Sequence, residues 1–156
     1  MTVNLRNFLN PKVKMAKMGE YQDLASIDGL EISSVSADLY GDGRDDLSLF
    51  FFKDGANFAA IYTQSTITSV CINWNLRIKR HFIKALLVNT KNANTFTGEQ
   101  GAQGLKEISK LLSKALTLKA AESPRGISDT IKPNEILFAS TGIIGEEFPT
   151  QKIKES

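Results

Sequence analysis

The sequence predicts an α+β fold, a layered sandwich of strands and helices built by a single domain that spans residues 1–156. Two observations predict it. The first half of the chain holds short apolar segments separated by turns, whereas the second half holds a strand, a long amphipathic helix and a further strand. A chain of 156 residues is long enough to bury one hydrophobic core, and two domains are not expected.

The composition is that of an ordinary globular protein, and it argues against several classes of function. Hydrophobic residues make up 42%, the net charge is +2, and no basic cluster is interleaved with aromatic residues, so no nucleic-acid partner is expected. The single cysteine, Cys71, excludes an internal disulfide and a multi-cysteine zinc site and fits a reducing compartment. Because His81 is the only histidine, no histidine pair can bind a metal, and neither a metal nor a cofactor is expected.

The N-terminal segment is basic. No apolar run approaches the ~18 residues that a membrane helix needs, so no membrane partner is expected. The first basic residues precede any acidic one, which faintly resembles an organelle-targeting segment, but Pro11 and the lack of serine favour a loosely ordered arm over residues 1–25. We therefore expect a cytoplasmic protein. The basic residues of this arm are Arg6, Lys12, Lys14 and Lys17.

Three segments in the first half of the chain predict an antiparallel meander. Residues 30–37 partly alternate apolar and polar side chains, as a half-buried strand does. Residues 47–52 are rich in leucine and phenylalanine, which is typical of a strand buried on at least one face. Residues 58–62 predict a third strand. Residues 40–43 and 53–55 are the predicted turns.

The middle of the chain leads into a polar cluster. Residues 70–73 are a short apolar run, and a basic, partly helical stretch is predicted over 76–81. Residues 83–88 predict a buried strand that ends at the polar cluster 89–94. The stretch 97–100 then has the spacing of a helix capping box, with threonine first and glutamine three residues later.

The clearest helix follows this cluster, and the segment Ser123–Gly126 is predicted to end it. Lysines line one side of the helix, whereas apolar residues fall on the other side. A strand is predicted over 135–139, and residues 150–156 are predicted to form a polar tail. The apolar face consists of Leu105, Ile108, Leu111, Leu112, Ala115 and Leu116.

The segment from Leu137 to Gly145 is the strongest candidate for chemistry. A short apolar run leads into Ser140, Thr141 and Gly142. A buried strand that ends this way presents a side-chain hydroxyl and an unhindered backbone N–H together at its tip. Such a pair is what an oxyanion hole requires, because it donates hydrogen bonds to a carbonyl oxygen as that oxygen gains charge.

Two further polar clusters each have a structural and a functional interpretation. The loop from Asp38 to Asp46 carries carboxylates at its first, fifth and ninth positions, as oxygen-ligand calcium loops do. Because Tyr40 occupies the third ligand position, a hairpin turn is favoured. Asn92 and Asn94 follow a predicted strand directly, and they form either a structural turn or the lining of a pocket at the end of a sheet.

Two segments together carry a family resemblance. Residues 89–101 resemble the signature Asn-x-Gly-Asn-Ala-Asn-x-x-Thr-Gly-x-x-Gly of the ornithine acetyltransferase (glutamate N-acetyltransferase) family, with Lys91 in place of its first glycine. Residues 140–145 resemble the Ser-Thr-Gly-Val-Ile-Gly segment of that family. Residues 46–49 and 60–63 are similar to two of its strands, in the same order along the chain.

The resemblance implies an αββα-type sandwich and a two-chain enzyme produced by self-cleavage before a threonine, which becomes the nucleophile. Such enzymes transfer an acetyl group from N-acetylornithine, or in some members from acetyl-coenzyme A, to glutamate in arginine biosynthesis. The implied oxyanion-hole residues are Thr141 and Gly142. The family's Lys-Gly-x-Gly-Met and Ala-Thr-Met stretches do not occur here, so this chain is expected to be the N-terminal, α-chain portion, which needs a β chain carrying the threonine.

Two alternatives remain open from the sequence. A related aminopeptidase or amidase with the same fold would use a serine nucleophile. A non-catalytic binding or assembly module would retain half of the scaffold and lack the chemistry. The asparagine-rich signature favours the acetyltransferase.

Overall fold

Four strands form one sheet in a computed structural model that describes residues 26–121 and 130–156. In chain order they are β1 (Leu30–Val35), β2 (Leu47–Asn57), β3 (Phe82–Asn89) and β4 (Ile136–Ser140). The strands lie side by side in this same order, with β1, β2 and β3 antiparallel and β4 parallel to β3. The predicted N-terminal arm and the predicted helix end at 123–126 lie outside the described residues.

Three helices accompany the sheet: α1 (Val70–Asn75), α2 (Gly98–Ala121) and α3 (Thr150–Glu155). A short 3-10 turn (Pro133–Glu135) precedes β4. The long helix α2 connects β3 to the parallel strand β4, since parallel neighbours need a crossover rather than a tight turn. The sequence predicts strands followed by a strand–helix–strand unit, and the order of the elements confirms the α+β fold class.

The core lies on one face of the sheet. The register aligns Phe51 with Ala85 and Ala85 with Ile136. Because partners across neighbouring strands point to the same side of a sheet, these three residues all lie on the core face. Against this face pack residues from all three helices, among them Cys71 of α1 and Ile153 of α3. The buried residues that α2 contributes to the core are Leu105, Ile108 and Leu116.

The opposite face of the sheet carries an apolar row. The register aligns Ile32, Phe50, Leu86 and Leu137 across all four strands. None of the four belongs to the core cluster of the described residues, and Ile32 is 60% exposed. Apolar surface of this kind is typical of an interface.

Two expectations about the strands are wrong. The predicted turn at 53–55 lies within β2, which continues to Asn57 through an irregularity between Phe51 and Ala56. Gly55 adopts φ +80°, which lets the strand bulge and continue instead of reversing. The predicted strand at 58–62 does not form: Phe58 N–H donates to the His81 carbonyl (2.9 Å), and the chain then leaves the sheet.

The first helix lies earlier than predicted. The structure places α1 at Val70–Asn75, on the apolar run, and the basic stretch 76–81 after it is not helical beyond the end of α1. Ser69 caps α1, because its Oγ accepts a hydrogen bond from the Ile72 N–H (3.2 Å). Trp74 Nε1 donates to the Ile136 carbonyl (3.0 Å), which ties α1 to the start of β4.

Helix α2 also differs in detail. Leu111 and Ala115 are exposed, although the apolar periodicity predicts them on the buried face. The side of α2 that packs closely contains small residues instead, including Ser109 and Ser113, whose hydroxyls donate to carbonyls of the helix itself. The polar segment from 150 forms α3, which buries Ile153.

Candidate active site

The ends of β3 and β4 meet at one edge of the sheet, because parallel strands end on the same side. The last pair in register is Asn89 with Ser140. Beyond it the two chains remain joined: Thr141 N–H donates to the Asn89 carbonyl (3.1 Å) and Ile143 N–H to the Lys91 carbonyl (2.7 Å). Two further bonds, from the Ala93 N–H to the Ile143 carbonyl (3.0 Å) and from the Gly145 N–H to the Thr95 carbonyl (3.1 Å), extend this contact.

The asparagines of the 89–94 cluster are buried, and two of them bond to neighbouring backbone through their side chains. Asn89 Nδ2 donates to the Asn92 carbonyl (2.9 Å), and Asn94 Nδ2 donates to the Gly101 carbonyl at the start of α2 (3.2 Å). Asn94 also accepts, at Oδ1, from Thr97 Oγ1 (2.5 Å). Of the two interpretations left open by the sequence, these bonds favour the structural turn for Asn94, whereas the Asn92 side chain donates to the Glu146 carboxylate.

The predicted capping box does not describe this helix start. Thr97 bonds to Asn94, and the Gln100 side chain instead bonds both backbone groups of Phe148, donating from Nε2 (2.9 Å) and accepting at Oε1 (3.2 Å). A Cβ on Gly101 would lie 2.2 Å from Asn94 Oδ1, so glycine is required for this close approach. The asparagine cluster, the helix start and residue 148 thus form one packed unit.

Thr141 and Gly142 are both exposed at the tip of β4. The N–H groups on either side of the Gly142 N–H are bonded, that of Thr141 to the Asn89 carbonyl and that of Ile143 to the Lys91 carbonyl. Within the described residues, the Thr141 hydroxyl and the Gly142 N–H have no hydrogen-bond partner. The structure therefore leaves two donors open, next to each other, on an otherwise bonded segment.

The backbone of Gly142 requires glycine for two reasons. Its φ of +128° lies in a region that side chains rarely adopt, and a Cβ would lie 2.1 Å from the Lys91 carbonyl oxygen. The Gly142 backbone therefore lies in close contact with the Lys91 peptide.

The surroundings of the pair are open. The cavity of about 640 Å³ lies beside Phe96, Arg77 and Lys106, and neither Thr141 nor Gly142 lines it. Because both residues are exposed, the described residues leave the surface around the pair open to solvent.

A charged group lies beside the pair. The Glu146 carboxylate is paired with the Lys91 ammonium, and its Oε2 also accepts from Asn92 Nδ2 (2.5 Å). Sequence reasoning missed Glu146, since no local pattern marks it. The sequence offers one clue, which is Lys91. This residue carries a charged side chain where the family signature has glycine, and a nearby acidic residue could pair with that charge.

Cys71 lies beneath the strand end and is structural. Its Sγ is 3.4 Å from Ser140 Oγ, and the same hydroxyl accepts from the Asn94 N–H (2.9 Å). Burial raises the pKa of the Cys71 thiol, so the thiolate that would act as a nucleophile is disfavoured.

The carboxylates at the three candidate ligand positions of the Asp38–Asp46 loop are engaged within the protein. Both oxygens of the buried Asp46 accept backbone N–H groups, from Ala37 and from Leu39, each at 2.7 Å. Asp42 pairs with Arg44, and Asp38 lies 3.3 Å from the ammonium of Lys152. These contacts fit a hairpin loop. In the part of the chain that the structure describes, no group of three or more His, Cys, Asp or Glu side chains could hold a metal ion.

Comparison with known proteins identifies relatives. The model of the ArgJ family matches residues 31–156. The arginine biosynthesis bifunctional protein ArgJ of Gluconobacter oxydans is 33% identical over 132 residues, which cover 84% of this chain and 28% of that protein. The protein of the same name from Nitrobacter winogradskyi is 33% identical over 135 residues, covering 83% and 29%. The chain thus spans less than a third of the length of these relatives.

Two solved structures share the fold. Arginine biosynthesis bifunctional protein ArgJ from Bacillus halodurans matches with a TM-score of 0.67 and 22% identity, over 82% of this chain and 61% of that one. Ornithine acetyltransferase from Mycobacterium tuberculosis, solved in complex with ornithine, matches with a TM-score of 0.69 and 23% identity, over 82% and 63%. No helix within 26–121 or 130–156 is long and apolar enough to cross a membrane.

Proposed function

This chain belongs to the ArgJ family and corresponds to the N-terminal part of its relatives, and we propose that it is the α-chain portion of a glutamate N-acetyltransferase. The complete enzyme would move an acetyl group from N-acetylornithine to glutamate, in the cytoplasm, through an acyl-threonine intermediate. This chain would supply the oxyanion hole, and a β chain with an N-terminal threonine would supply the nucleophile.

The observation that carries the proposal is the pair of open donors at the tip of β4. Thr141 Oγ1 and the Gly142 N–H have no partner within the described residues, although the amides on either side are bonded. An oxyanion hole works because its donors are oriented before charge develops, so no reorganisation is needed during the reaction. The backbone bonds of Thr141 and Ile143 provide this orientation.

The proposed reaction needs no histidine. The threonine hydroxyl of the β chain attacks the acetyl carbonyl of N-acetylornithine, with its own N-terminal amine as the base. The carbonyl oxygen becomes negatively charged and accepts hydrogen bonds from Thr141 and Gly142; ornithine then leaves with a proton on its amine. The amine of glutamate attacks the resulting ester, the same two donors stabilise the second tetrahedral intermediate, and the threonine hydroxyl is regenerated.

Two features support a partner chain. Thr141 and Gly142 face solvent, so walls from outside the described residues would be needed to exclude water from the reaction. The apolar row from Ile32 to Leu137 leaves the second face of the sheet available for a further layer, as an αββα sandwich requires. The greater length of the relatives is consistent with both.

The test is the variant Thr141→Ala in an enzyme that combines this chain with its nucleophile-bearing portion. Because one oxyanion donor is lost, we expect kcat to fall on the order of a hundred- to a thousand-fold, while Thr141→Ser keeps most of the rate. The KM for N-acetylornithine should change little, since the donor acts mainly in the transition state.

Thr130→Ala is the matched control, because Thr130 is exposed and precedes the opposite end of β4. An unchanged rate in Thr141→Ala would remove the oxyanion assignment. The unaltered enzyme is also assayed on an amide or a dipeptide. Hydrolysis of that substrate without acetyl transfer to glutamate would favour the related aminopeptidase or amidase. A complete lack of turnover on both substrates, with ligand binding or assembly intact, would favour the non-catalytic module.

A further inference from the structure

Lys91 has a backbone conformation that its side chain disfavours. Its φ is +75°, in the left-handed region where residues with a Cβ are uncommon. The family signature has glycine at this position, which adopts such a conformation without strain. Strain of this kind persists only where the surroundings hold it in place.

The strained peptide directly supports the proposed oxyanion pair. The Lys91 carbonyl accepts the Ile143 N–H at 2.7 Å, and a Cβ on Gly142 would collide with the same carbonyl. Rotation of the Lys91 peptide would therefore change the path of residues 141–143. The direction of the Gly142 N–H depends on the conformation at Lys91.

Glu146 contacts this turn through its side chain. Its carboxylate pairs with the Lys91 ammonium, and Oε2 also accepts from Asn92 Nδ2 (2.5 Å). The carboxylate therefore joins the side chains of two consecutive residues of the turn to the segment that follows Gly142. The adjacent Gly145 N–H donates to the Thr95 carbonyl (3.1 Å), which fixes the backbone from which Glu146 extends.

We infer that Glu146 is a positioning residue: its carboxylate holds the strained Lys91–Asn92 turn and thereby the backbone conformation in which the Thr141 hydroxyl and the Gly142 N–H are open. The inference rests on the proposed function of that pair. It assigns a role to an ion pair whose lysine replaces the glycine of the family signature.

This ion pair differs from the others among the described residues. Exposed pairs such as Lys53–Glu31 contribute little, because water and salt screen them. The Lys91 and Glu146 side chains are 25% and 38% exposed, close to the 30% and 40% of Lys154 and Glu107. What sets the Lys91–Glu146 pair apart is that its carboxylate also accepts from Asn92, which is buried. A network that includes a buried amide is held more rigidly than an isolated surface pair.

The test compares Glu146→Gln in two backgrounds of the assembled two-chain enzyme. Glutamine keeps an oxygen that can accept from Asn92 but removes the charge that attracts Lys91. With Lys91 present we expect kcat to fall roughly tenfold, a fraction of the loss of a whole donor, with KM nearly unchanged. With Lys91→Gly the turn is unstrained, so Glu146→Gln should then lower kcat less than about threefold.

Two further variants make the comparison specific. Lys91→Arg keeps the positive charge and should retain most of the rate of the unaltered enzyme. Glu107→Gln breaks the pair with Lys154 (3.0 Å) between α2 and α3, and it is the control for loss of an ion pair elsewhere. Equal rates for Glu146→Gln and Glu107→Gln would overturn the inference, and so would an equal loss in the Lys91 and glycine backgrounds.

Amide hydrogen exchange separates this inference from the proposed function. Loosening of the turn should speed exchange of the Ile143 amide in Glu146→Gln and leave it unchanged in Glu107→Gln. If the unaltered enzyme transfers no acetyl group, the proposed function fails, and the exchange rates still decide whether Glu146 holds the turn. Unchanged Ile143 exchange in Glu146→Gln would contradict the inference whatever the activity.

Discussion

The loop between β1 and β2 (residues 36–46, the β1–β2 loop) and the loop between β4 and α3 (residues 141–149, the β4–α3 loop) both contain polar residues and glycines and are largely exposed. They differ in what their polar groups bond to. In the β1–β2 loop the buried carboxylate of Asp46 accepts the N–H groups of Ala37 and Leu39, so the side chain serves the loop's own backbone.

The β4–α3 loop is held from outside itself. Its backbone bonds to the Asn89, Lys91 and Thr95 carbonyls, all on the segment that follows β3. These contacts leave the Thr141 hydroxyl and the Gly142 N–H open within the described residues. The candidate site differs from a structural loop because it has open donors on a backbone that neighbouring residues hold in place. Polar composition alone does not make this distinction.

The largest expected effect comes from Gly142→Ala. The added Cβ would collide with the Lys91 carbonyl at 2.1 Å and adopt a disfavoured φ, so the segment must move and misdirect its donors. We expect acetyl transfer by the assembled enzyme to fall by at least the hundred- to thousand-fold that loss of one donor causes, measured as kcat.

Gly41→Ala is the matched control in the β1–β2 loop. Gly41 also has a positive φ, +72°, but a Cβ there would meet no atom within 4 Å. Its cost is therefore limited to backbone strain, on the order of 1 kcal/mol in the free energy of unfolding, without loss of kcat. Similar kcat losses in the two variants would abolish the functional distinction between the loops.

Local patterns predicted the elements whose sequence and tertiary contacts agree. The strands around 47–52, 83–88 and 135–139 and the long helix α2 formed where an apolar pattern coincides with burial. The strand predicted around 30–37 also formed, but four of the six residues of β1 are exposed, and its pairing with β2 places it in the sheet. The segment 58–62 has strand-forming residues, but it cannot form a hairpin with β2, since β1 and β3 already occupy both edges of that strand. Position in the sheet is a tertiary property that a local pattern does not contain.

The helix α2 shows a second limit. The apolar face predicted from the sequence includes Leu111 and Ala115 and contains no serine or glycine. The observed contact stripe includes Ser109, whose hydroxyl bonds within the helix, and Gly104, where a Cβ would lie 2.0 Å from Thr150 Oγ1. Close approach to α3 therefore favours a small residue at position 104. Leu111 lies seven residues later and so on the same side of α2, yet it is 47% exposed.

The candidate site could be predicted in part. The Ser140-Thr141-Gly142 segment shows its donors in the sequence, since a hydroxyl and a glycine follow an apolar run. Glu146 could not be predicted from spacing. Its importance depends on a contact with Lys91, 55 residues earlier, that exists only once β4 pairs with β3.

A smaller effect is expected from Asp46→Asn, which probes the bonded loop. The amide nitrogen of asparagine faces one of the two backbone N–H groups that the carboxylate accepts, from Ala37 or Leu39, and leaves that donor unpaired. An unsatisfied buried donor costs about 1–3 kcal/mol, so denaturant unfolding should show a loss of this size.

The same variant sharpens the comparison through its activity. The folded fraction of Asp46→Asn should keep the kcat of the unaltered enzyme, because the β1–β2 loop contributes stability and not donors. A fall in kcat as large as that of Thr141→Ala, at full folding, would show that the loops are functionally coupled. That outcome would require a different explanation for the open donors.

The smallest effect is expected from Asp42→Asn at the exposed tip of the β1–β2 loop. The hydrogen bonds from Arg44 lower the pKa of the Asp42 carboxyl. A lowered pKa in the folded state stabilises the protein above the ordinary pKa of the carboxyl, and this stabilisation is lost as pH falls through the lowered value. Because both side chains are exposed and salt screens them, the unfolding midpoint at neutral pH should change within experimental error. A clear loss of stability at neutral pH that high salt removes would show that the exposed tip contributes to stability. The contrast within this loop between the buried Asp46 and the exposed Asp42 would then not hold.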